Sequence, residues 1–286
     1  MVDRDLSIII PAKASGGFIL RKVEVLLDYL QQHWDARFEV VVCVNGELTE
    51  VNKIHAILAE RFAQDSRVVL HQHLAPARNG AVLQSAFLKT QYNLIGFIDI
   101  DLPFDLAFLA QAEEAVKSGS SLVVGNRRLA KSRVHLPTTL LPSLFKRHVF
   151  GLLYNRAVRL LFGIQQSDTQ CGIKLMTRDF ATTLFCHLTC HGFSYDVEMF
   201  LLAQGQGDKL TSIPVTLIHD HGQSTLRLGG ELIRSTKALM HLKYKKSRGE
   251  YKPRSPLSKT QNELLQITSD YWGISSAVHQ LILKLA

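Results

Sequence analysis

Two aspartates separated by one residue follow a short apolar stretch of the sequence. The stretch is Leu94–Ile98, and Asp99-Ile100-Asp101 and then Pro103 come after it. Such a run predicts a strand covered on both faces, which Pro103 prevents from continuing. Because residues i and i+2 of a strand point the same way, both carboxylates should lie on one side of its carboxyl end. Paired carboxylates are ligands suited to Mg²⁺ or Mn²⁺.

A second interpretation of the same residues needs no metal. Acidic side chains after a strand are also typical of a solvated turn, in which they cap the next helix, and Asp105 is placed to do so. The spacing of Asp99 and Asp101 alone leaves both interpretations open.

Composition and charge limit the classes of protein to be considered. The 286 residues are 46% hydrophobic and 20% charged, which suits one large α/β domain with appendages or two small domains. The net charge of +8 favours anionic partners such as nucleotide diphosphates or phospholipid surfaces. Basic residues are not interleaved with exposed aromatics, so nucleic acid is not expected as a partner. No apolar stretch has the length of a signal sequence or of a membrane-spanning helix.

Apolar runs typical of strands alternate with helical patterns over the first half of the chain. This order predicts a parallel, doubly wound sheet with helices on both faces. We expect the first strand to cover Leu6–Ile10 and to stop at Pro11. Right-handed crossovers would bring the loops after the strands to one edge. That edge would collect residues 11–17, 45–46, 99–101 and 126–128.

The second half of the chain carries basic amphipathic segments. Residues 140–163 interleave leucines with Lys and Arg, which predicts one or two helices able to lie on a membrane or on the sheet. Residues 237–254 form another basic stretch, and Gly249, Pro253 and Pro256 mark a linker. We therefore predict a domain over residues 1–230 and a basic linker with an amphipathic helical tail over 231–286.

Cysteine and histidine are concentrated in one short segment, CHLTCH, from Cys186 to His191. Spacing of i, i+4 would put Cys and His on one helical face, as some zinc sites require. No second cluster supplies a partner pair, so buried, reduced thiols are the expectation.

Several blocks occur in an order that resembles the family-2 glycosyltransferases with a GT-A fold. The blocks are SIIIPA, IDIDLPFD, VVGNRRL, SDTQCGIKLMTRDF, FSYDVEMFLLA and IPVTLIHDHGQSTLRL. Within that family they are most similar to the polyprenyl-phosphate sugar synthases, which include dolichyl-phosphate mannose and glucose synthases. The resemblance covers about Leu6 to Leu228. It implies a GT-A fold, a Rossmann-like mixed and mostly parallel sheet, with a helical appendage at the C-terminus.

The resemblance also implies an activity and its partners. The expected reaction moves a hexose from a UDP- or GDP-linked sugar to a polyprenyl phosphate, with inversion and with Mg²⁺ or Mn²⁺. The expected location is cytoplasmic, peripheral on the cytoplasmic face of the membrane, and a homo-oligomer is left open.

Three groups of site residues follow from the resemblance and from the strand ends. The expected catalytic residues are Asp168, Gln170 and Asp196. The expected nucleotide-sugar-binding residues are Pro11, Ala12, Asn45, Asp99, Arg127, Arg128 and Arg227. The expected metal ligands are Asp99, Asp101 and His221.

The chain departs from the family pattern at four places. Ala12-Lys13-Ala14-Ser15 stands where an acidic residue usually follows the first strand, and Asn45 replaces an aspartate after the second. Pro103 stands where some members have a metal-binding Gln, and Ser224-Thr225 replaces Ser-Lys. Two alternatives therefore stay open. One is a GT-A transferase with a glycan or another lipid-linked acceptor in envelope polysaccharide synthesis, and the other is a non-catalytic sugar-nucleotide-binding homologue.

Overall fold

A computed structural model of the protein describes residues 4–13, 18–73, 79–135, 141–192, 194–218 and 228–252. The strands in these ranges are β1 Leu6–Lys13, β2 Phe38–Asn45, β3 Val68–His73, β4 Leu94–Ile98, β5 Leu122–Asn126, β6 Arg133–His135, β7 Ile173–Thr177, β8 Leu210–Pro214 and β9 Thr216–Ile218. The helices are α1 Ile19–His33, α2 Leu48–Arg61, α3 Asn79–Phe87, α4 Phe108–Lys117, α5 Leu141–Phe162, α6 Arg178–His187, α7 Tyr195–Gln206 and α8 Leu228–Ser247.

Seven of these strands form one mixed sheet in the order β3-β2-β1-β4-β7-β5-β8. The strands pair in parallel except β7, which lies antiparallel between β4 and β5. A separate parallel pair joins β6 to β9. The predicted fold class, a mostly parallel mixed sheet with helices on both faces, is confirmed.

Successive residues of the central strands alternate between two apolar layers. Ile8 and Ile10 belong to the layer that contains α1, α2 and α4. Ile9 and Cys43 belong to the layer that contains α3, α5, α6, α7 and α8. Because neighbouring side chains of a strand face opposite sides of the sheet, a run of consecutive apolar residues is what a doubly covered strand requires.

Strand β1 continues through Pro11 to Lys13, so the predicted stop at Pro11 is wrong. The last residue of β1 paired with β4 is Ile9, opposite Phe97, whereas pairing with β2 runs to Lys13. Pro11 therefore lies where β1 has a partner strand on one side only, and a missing N–H is tolerated at such an edge.

Helix α8 packs on the sheet domain rather than extending away from it. Leu239 and Leu242, together with Tyr251 beyond its end, are buried in the same apolar layer as α7. The compact part of the described chain thus reaches Tyr251. Residues 253–286, which include most of the predicted linker and tail, lie outside the described residues. Among the helices that the structure describes, none combines the length and apolarity needed to cross a bilayer.

Candidate active site at the carboxyl edge of the sheet

The end of β4 meets the start of β7 at the centre of the candidate site. The Asp99 N–H donates to the Gly172 carbonyl over 3.0 Å. A β-carbon built on Gly172 would lie 1.8 Å from Asp99 Oδ2, so the carboxylate occupies the space that any other residue at 172 would need. The glycine of the SDTQCGIK block therefore serves close packing.

Asp99 and Asp101 do not share a strand face, because β4 ends at Ile98. They belong instead to a turn closed by a bond from the Leu102 N–H to the Asp99 carbonyl, 2.9 Å long. Asp99 is half-buried and Asp101 is exposed. Burial and the neighbouring charge of Asp101 raise the pKa of Asp99 to about 7, against the opposing effect of Lys174. The turn thus brings the two carboxylates into electrostatic contact, although not by the predicted route.

Arg127, at the exit of β5, holds Asp168 in a two-pronged ion pair. Its Nε and one terminal nitrogen lie 2.7 and 2.9 Å from the two carboxylate oxygens, and its backbone N–H donates to Oδ2 over 3.0 Å. Arg127 also donates to the Gln170 carbonyl over 3.1 Å. Burial tends to raise the pKa of Asp168, but bonding to Arg127 outweighs it and the pKa is lowered. Three residues predicted for the site are therefore brought together as one charged network.

Lys174 lies inside the sheet with its ammonium buried beside Asp196. Its Nζ donates to the Cys171 carbonyl over 2.6 Å and lies 2.9 Å from Asp196 Oδ1, an ion-pair contact without good hydrogen-bond direction. The same ammonium stands 4.9 Å from the ring centre of Phe97 and 5.8 Å from that of Tyr195. Burial raises the pKa of Asp196, although Lys174 opposes the shift. Asp196 is thus placed beside Lys174, which the sequence analysis did not assign to the site, and its catalytic role stays a prediction.

Polar residues also lie at the ends of β1, β2 and β3, along the same edge of the sheet as Asp99 and Arg127. Lys13 is in register with Asn45, and Asn45 with His73. His73 Nδ1 lies 3.1 Å from Ser85 Oγ of α3, and burial lowers the pKa of His73. Lys13 and His73 were not predicted as site residues. The signal that could have found them is their position at strand ends, directly beside Asn45.

The remaining predicted residues are placed as follows. Pro11 and Ala12 lie near the end of β1, and Arg128 donates from its guanidinium to the Gly151 carbonyl of α5 over 3.1 Å. His221 and Arg227 lie outside the described residues, so their roles stay predictions.

Within the parts of the chain that are described, no three His, Cys, Asp or Glu side chains are grouped to hold a metal. In the CHLTCH segment, Cys186 and Cys190 are buried and are not joined in a disulfide bond.

Comparison with known proteins finds similarity to glycosyltransferases. The chain is 28% identical over 214 residues to glycosyltransferase AglD of Haloferax volcanii, with 74% of the chain and 32% of that relative covered. It is 26% identical over 247 residues to the dolichyl-phosphate beta-glucosyltransferase of Saccharomyces cerevisiae, covering 82% and 73%. The predicted resemblance to glycosyltransferases is confirmed. A third glycosyltransferase relative, ALG5D of Trichomonas vaginalis, is a dolichyl-phosphate beta-glucosyltransferase, 27% identical over 73% of the chain and 64% of its own length.

The chain thus spans about one third of the first of these glycosyltransferases and under two thirds of the T. vaginalis enzyme. No profile of a known protein family matches it. Among solved structures, mannosyl-3-phosphoglycerate synthase of Rubrobacter xylanophilus superposes with a TM-score of 0.54 at 14% identity, over 89% of this chain and 77% of that one. TarS residues 1–349 of S. aureus gives 0.50 at 14% identity, over 84% and 64%. These likenesses support the predicted GT-A fold.

Proposed function

We propose that the protein is an inverting hexosyltransferase that moves a sugar from a nucleotide diphosphate to a polyprenyl phosphate. The observation that carries the proposal is the cluster at the carboxyl edge, where Asp99, Asp101 and Asp196 meet the cations Arg127 and Lys174. The names of the dolichyl-phosphate beta-glucosyltransferase relatives support the lipid phosphate as acceptor and glucose as the sugar class.

The donor nucleotide is assigned to the ends of β1 and β2. Pro11, Ala12 and Asn45 are near the carboxyl ends of adjacent parallel strands, where ligands of open α/β sheets bind. Asn45 offers both a donor and an acceptor for the base or ribose, without the charge of the usual aspartate. Arg128, and Arg227 outside the described residues, are assigned to the diphosphate.

The donor set at the end of β4 fits a divalent cation. Burial and repulsion from Asp101 raise the pKa of Asp99 to about 7, and a cation beside both carboxylates would remove that repulsion. Mg²⁺ commonly takes one or two protein carboxylates together with substrate phosphates, which suits a site with two aspartates. Asp99 and Asp101, with His221 as a third candidate, would hold the ion. When bound, such an ion offsets negative charge on the departing diphosphate.

The proposed transfer does not need a strong general base. A polyprenyl phosphate is already an anion at neutral pH, so its oxygen can attack the anomeric carbon while the nucleoside diphosphate leaves from the opposite face. Asp196 and Gln170 are assigned to orient the sugar and the attacking phosphate. Asp168 keeps Arg127 in one position through two hydrogen bonds, so that its cationic field is fixed before the substrates bind.

A lipid acceptor also requires a surface that meets a membrane. In α5 the exposed residues Val149, Leu152, Leu153, Arg156 and Leu160 follow the spacing i, i+3, i+4, i+7, i+11, which puts them on one face of the helix. We assign this α5 face to an anionic lipid surface, on the cytoplasmic side, because it presents exposed apolar residues together with the basic Arg156.

Helix α8 continues the basic apolar surface beside α5. Met240 and Tyr244 are exposed among the exposed Lys237 and Lys243. The Lys246 ammonium donates to the Phe162 carbonyl over 2.5 Å, so the ends of the two helices are in contact. Apolar side chains within a basic surface suit a bilayer that carries negative headgroups.

A transfer assay tests the function directly. Radiolabelled UDP- and GDP-hexoses are incubated with short-chain polyprenyl phosphate and Mg²⁺ or Mn²⁺, and the lipid-linked sugar is extracted. We expect transfer by the wild type and none by Asp101→Ala, with the fold retained. Asp105→Asn is the matched control, because the exposed Asp105 carboxylate accepts from the Ala107 N–H, in the turn before α4, over 2.9 Å. Wild-type turnover by Asp101→Ala would contradict the metal assignment.

Asn45 favours one second candidate, a sugar-nucleotide-binding homologue without activity. Loss of the usual aspartate at this strand end removes a charge that helps to hold ribose. A thermal-shift panel of nucleotide sugars with and without Mn²⁺ separates the candidates, because a bound ligand raises the apparent melting temperature. Stabilisation by a nucleotide sugar that is never transferred to any lipid phosphate would favour the homologue without activity.

A further inference from the structure

Helix α7, whose first turn carries Asp196, is held from its opposite side by one buried carboxylate. Glu198 accepts hydrogen bonds from the Thr189 N–H and the Cys190 N–H, 2.9 and 2.6 Å long, and from the Thr189 hydroxyl, 2.8 Å long. It also accepts from Lys245 Nζ over 2.8 Å and from the Tyr251 hydroxyl over 2.9 Å. Five donors therefore meet at a side chain that has no solvent access.

Two of those five donors belong to the C-terminal segment of the described chain, some fifty residues away in sequence. The same segment touches α7 again two turns later. A β-carbon on Gly205 would lie 1.4 Å from the Tyr251 carbonyl oxygen, so the two backbones are in direct contact there. Residues 245–251 thus hold α7 near both of its ends, at Glu198 and at Gly205.

Asp196 and Glu198 are two residues apart, which places them about 200° apart around a helix. Asp196 faces Lys174, and Glu198 faces Lys245. Any rotation or slide of α7 that breaks the contacts of Glu198 must therefore also displace the Asp196 carboxylate from Lys174. The position of a candidate catalytic acid is in this way tied to the C-terminal segment.

We propose that Glu198, Lys245 and Tyr251 are positioning residues, which seat α7 so that Asp196 is held at the reacting sugar. The proposal rests on the function proposed for Asp196 and adds a part of the chain that lies away from the substrates. The contact of Glu198 with Lys245 should hold α7 firmly, because loss of the ammonium would leave a buried carboxylate unpaired and strongly destabilise the folded protein. The pKa of Glu198 is lowered, since Lys245 and the two backbone N–H groups outweigh the effect of burial, so the carboxylate is ionised.

The test compares full-length Lys245→Met and Tyr251→Phe with Arg37→Met. Arg37 pairs with the largely buried Asp5 at the start of β1, so the control also removes a cation from a buried acid, but at the opposite edge of the sheet. Readouts are hydrogen exchange of residues 195–203, and kcat and KM for the donor. We expect Lys245→Met to speed exchange and to lower kcat by about tenfold with little change in KM, because misplacement of an orienting group costs mainly the chemical step. Tyr251→Phe should change exchange and kcat in the same direction but by a smaller amount. Arg37→Met should change neither readout.

A double variant distinguishes positioning from general loss of stability. Glu198→Gln added to Lys245→Met removes the unpaired charge while an amide oxygen still accepts from Thr189 and Cys190, so part of kcat should return. A folded Lys245→Met with wild-type kcat, or a loss of kcat with unchanged exchange in α7, would overturn the proposal. If Lys245→Met does not fold, hydrogen exchange in α7 and kcat of Tyr251→Phe decide whether the proposal holds. If the wild type transfers no sugar, the proposed function fails, whereas exchange still decides whether this segment seats α7.

Discussion

The Asp99 carboxylate lies directly against the backbone of Gly172, with only 1.8 Å between Oδ2 and the place of an absent β-carbon. The position of Asp99, two residues before the metal-binding candidate Asp101, thus depends on the glycine that directly precedes β7. The contact brings two of the sequence blocks that resemble the family, IDIDLPFD and SDTQCGIK, to one point in space.

Gly172→Ala should therefore displace Asp99 and impair the site. The added methyl group must push the carboxylate or β7 aside, and we expect a loss of about 1–3 kcal/mol in the free energy of unfolding. Sugar transfer and Mn²⁺-dependent nucleotide binding should fall more than stability does. Gly151→Ala in α5 is the control, because its added carbon would meet no atom within 4 Å apart from the local backbone of α5 itself. Nucleotide binding at wild-type strength in Gly172→Ala would contradict a role for this contact.

Asp168→Asn tests the ion pair with Arg127 through the pH dependence of stability. The folded-state pKa of Asp168 is lowered, so its contribution is present above the unfolded pKa and is lost as pH falls through the folded pKa. Between neutral pH and about pH 3, the wild type should lose more unfolding free energy than Asp168→Asn does. At neutral pH the variant should be less stable by about 2 kcal/mol. This loss is smaller than that for a fully buried ion pair, because solvent reaches part of the Arg127 side chain. Chemical denaturation at a series of pH values measures both, and parallel pH profiles would contradict the prediction.

Lys174→Met should leave Asp196 buried without its cation. We expect a loss of about 3 kcal/mol in unfolding free energy and a large loss of transfer, because the carboxylate must take up a proton or move. Adding Asp196→Asn should restore part of the stability and none of the transfer. Lys209→Met is the control, because Lys209 donates to the Ser118 carbonyl on an exposed part of the surface. Additive effects of the two substitutions on stability would show that the pair is not coupled.

The alternation of elements could be predicted because it depends on local patterns. Runs such as Leu94–Ile98 are apolar on both faces, and the helices between them repeat apolar residues at helical spacing. The end of β1 was missed because Pro11 is tolerated only through an unequal pairing with β2 and β4, which no local pattern records. The grouping of Asp99 with Asp101 was predicted, but the turn that produces it was not.

The charged partners of Lys174 and Glu198 could not be predicted, because they come from parts of the chain that are distant in sequence. Lys174 lies in a strand covered on both faces, where a lysine needs an acid such as Asp196, and no local pattern records that pairing. The partners of Glu198, Lys245 and Tyr251, come from a stretch that was predicted to be a basic linker. Only the packing of α8 on α7 brings those residues together.

The α5 face predicts how the protein meets a lipid surface. Leu153 and Leu160 are 63% and 76% exposed, and burial of each in a bilayer should contribute about 1.5 kcal/mol or more to binding. Leu153→Glu with Leu160→Glu should therefore weaken binding to vesicles of phosphatidylcholine and phosphatidylglycerol by at least about a hundredfold. Transfer to a short-chain, water-soluble acceptor should be unchanged, because neither leucine belongs to the site.

Val25→Glu is the matched control for the lipid surface, since Val25 is an exposed apolar residue of α1 on another part of the molecule. Vesicle co-sedimentation measures the binding, and light scattering reports the oligomeric state of the same samples. Undiminished sedimentation of the double variant would contradict the assignment of α5 to the membrane. A wild-type dimer that separates in the double variant would assign the same face to a second copy of the chain, because a buried Glu at each apolar contact opposes association as strongly as it opposes entry into lipid.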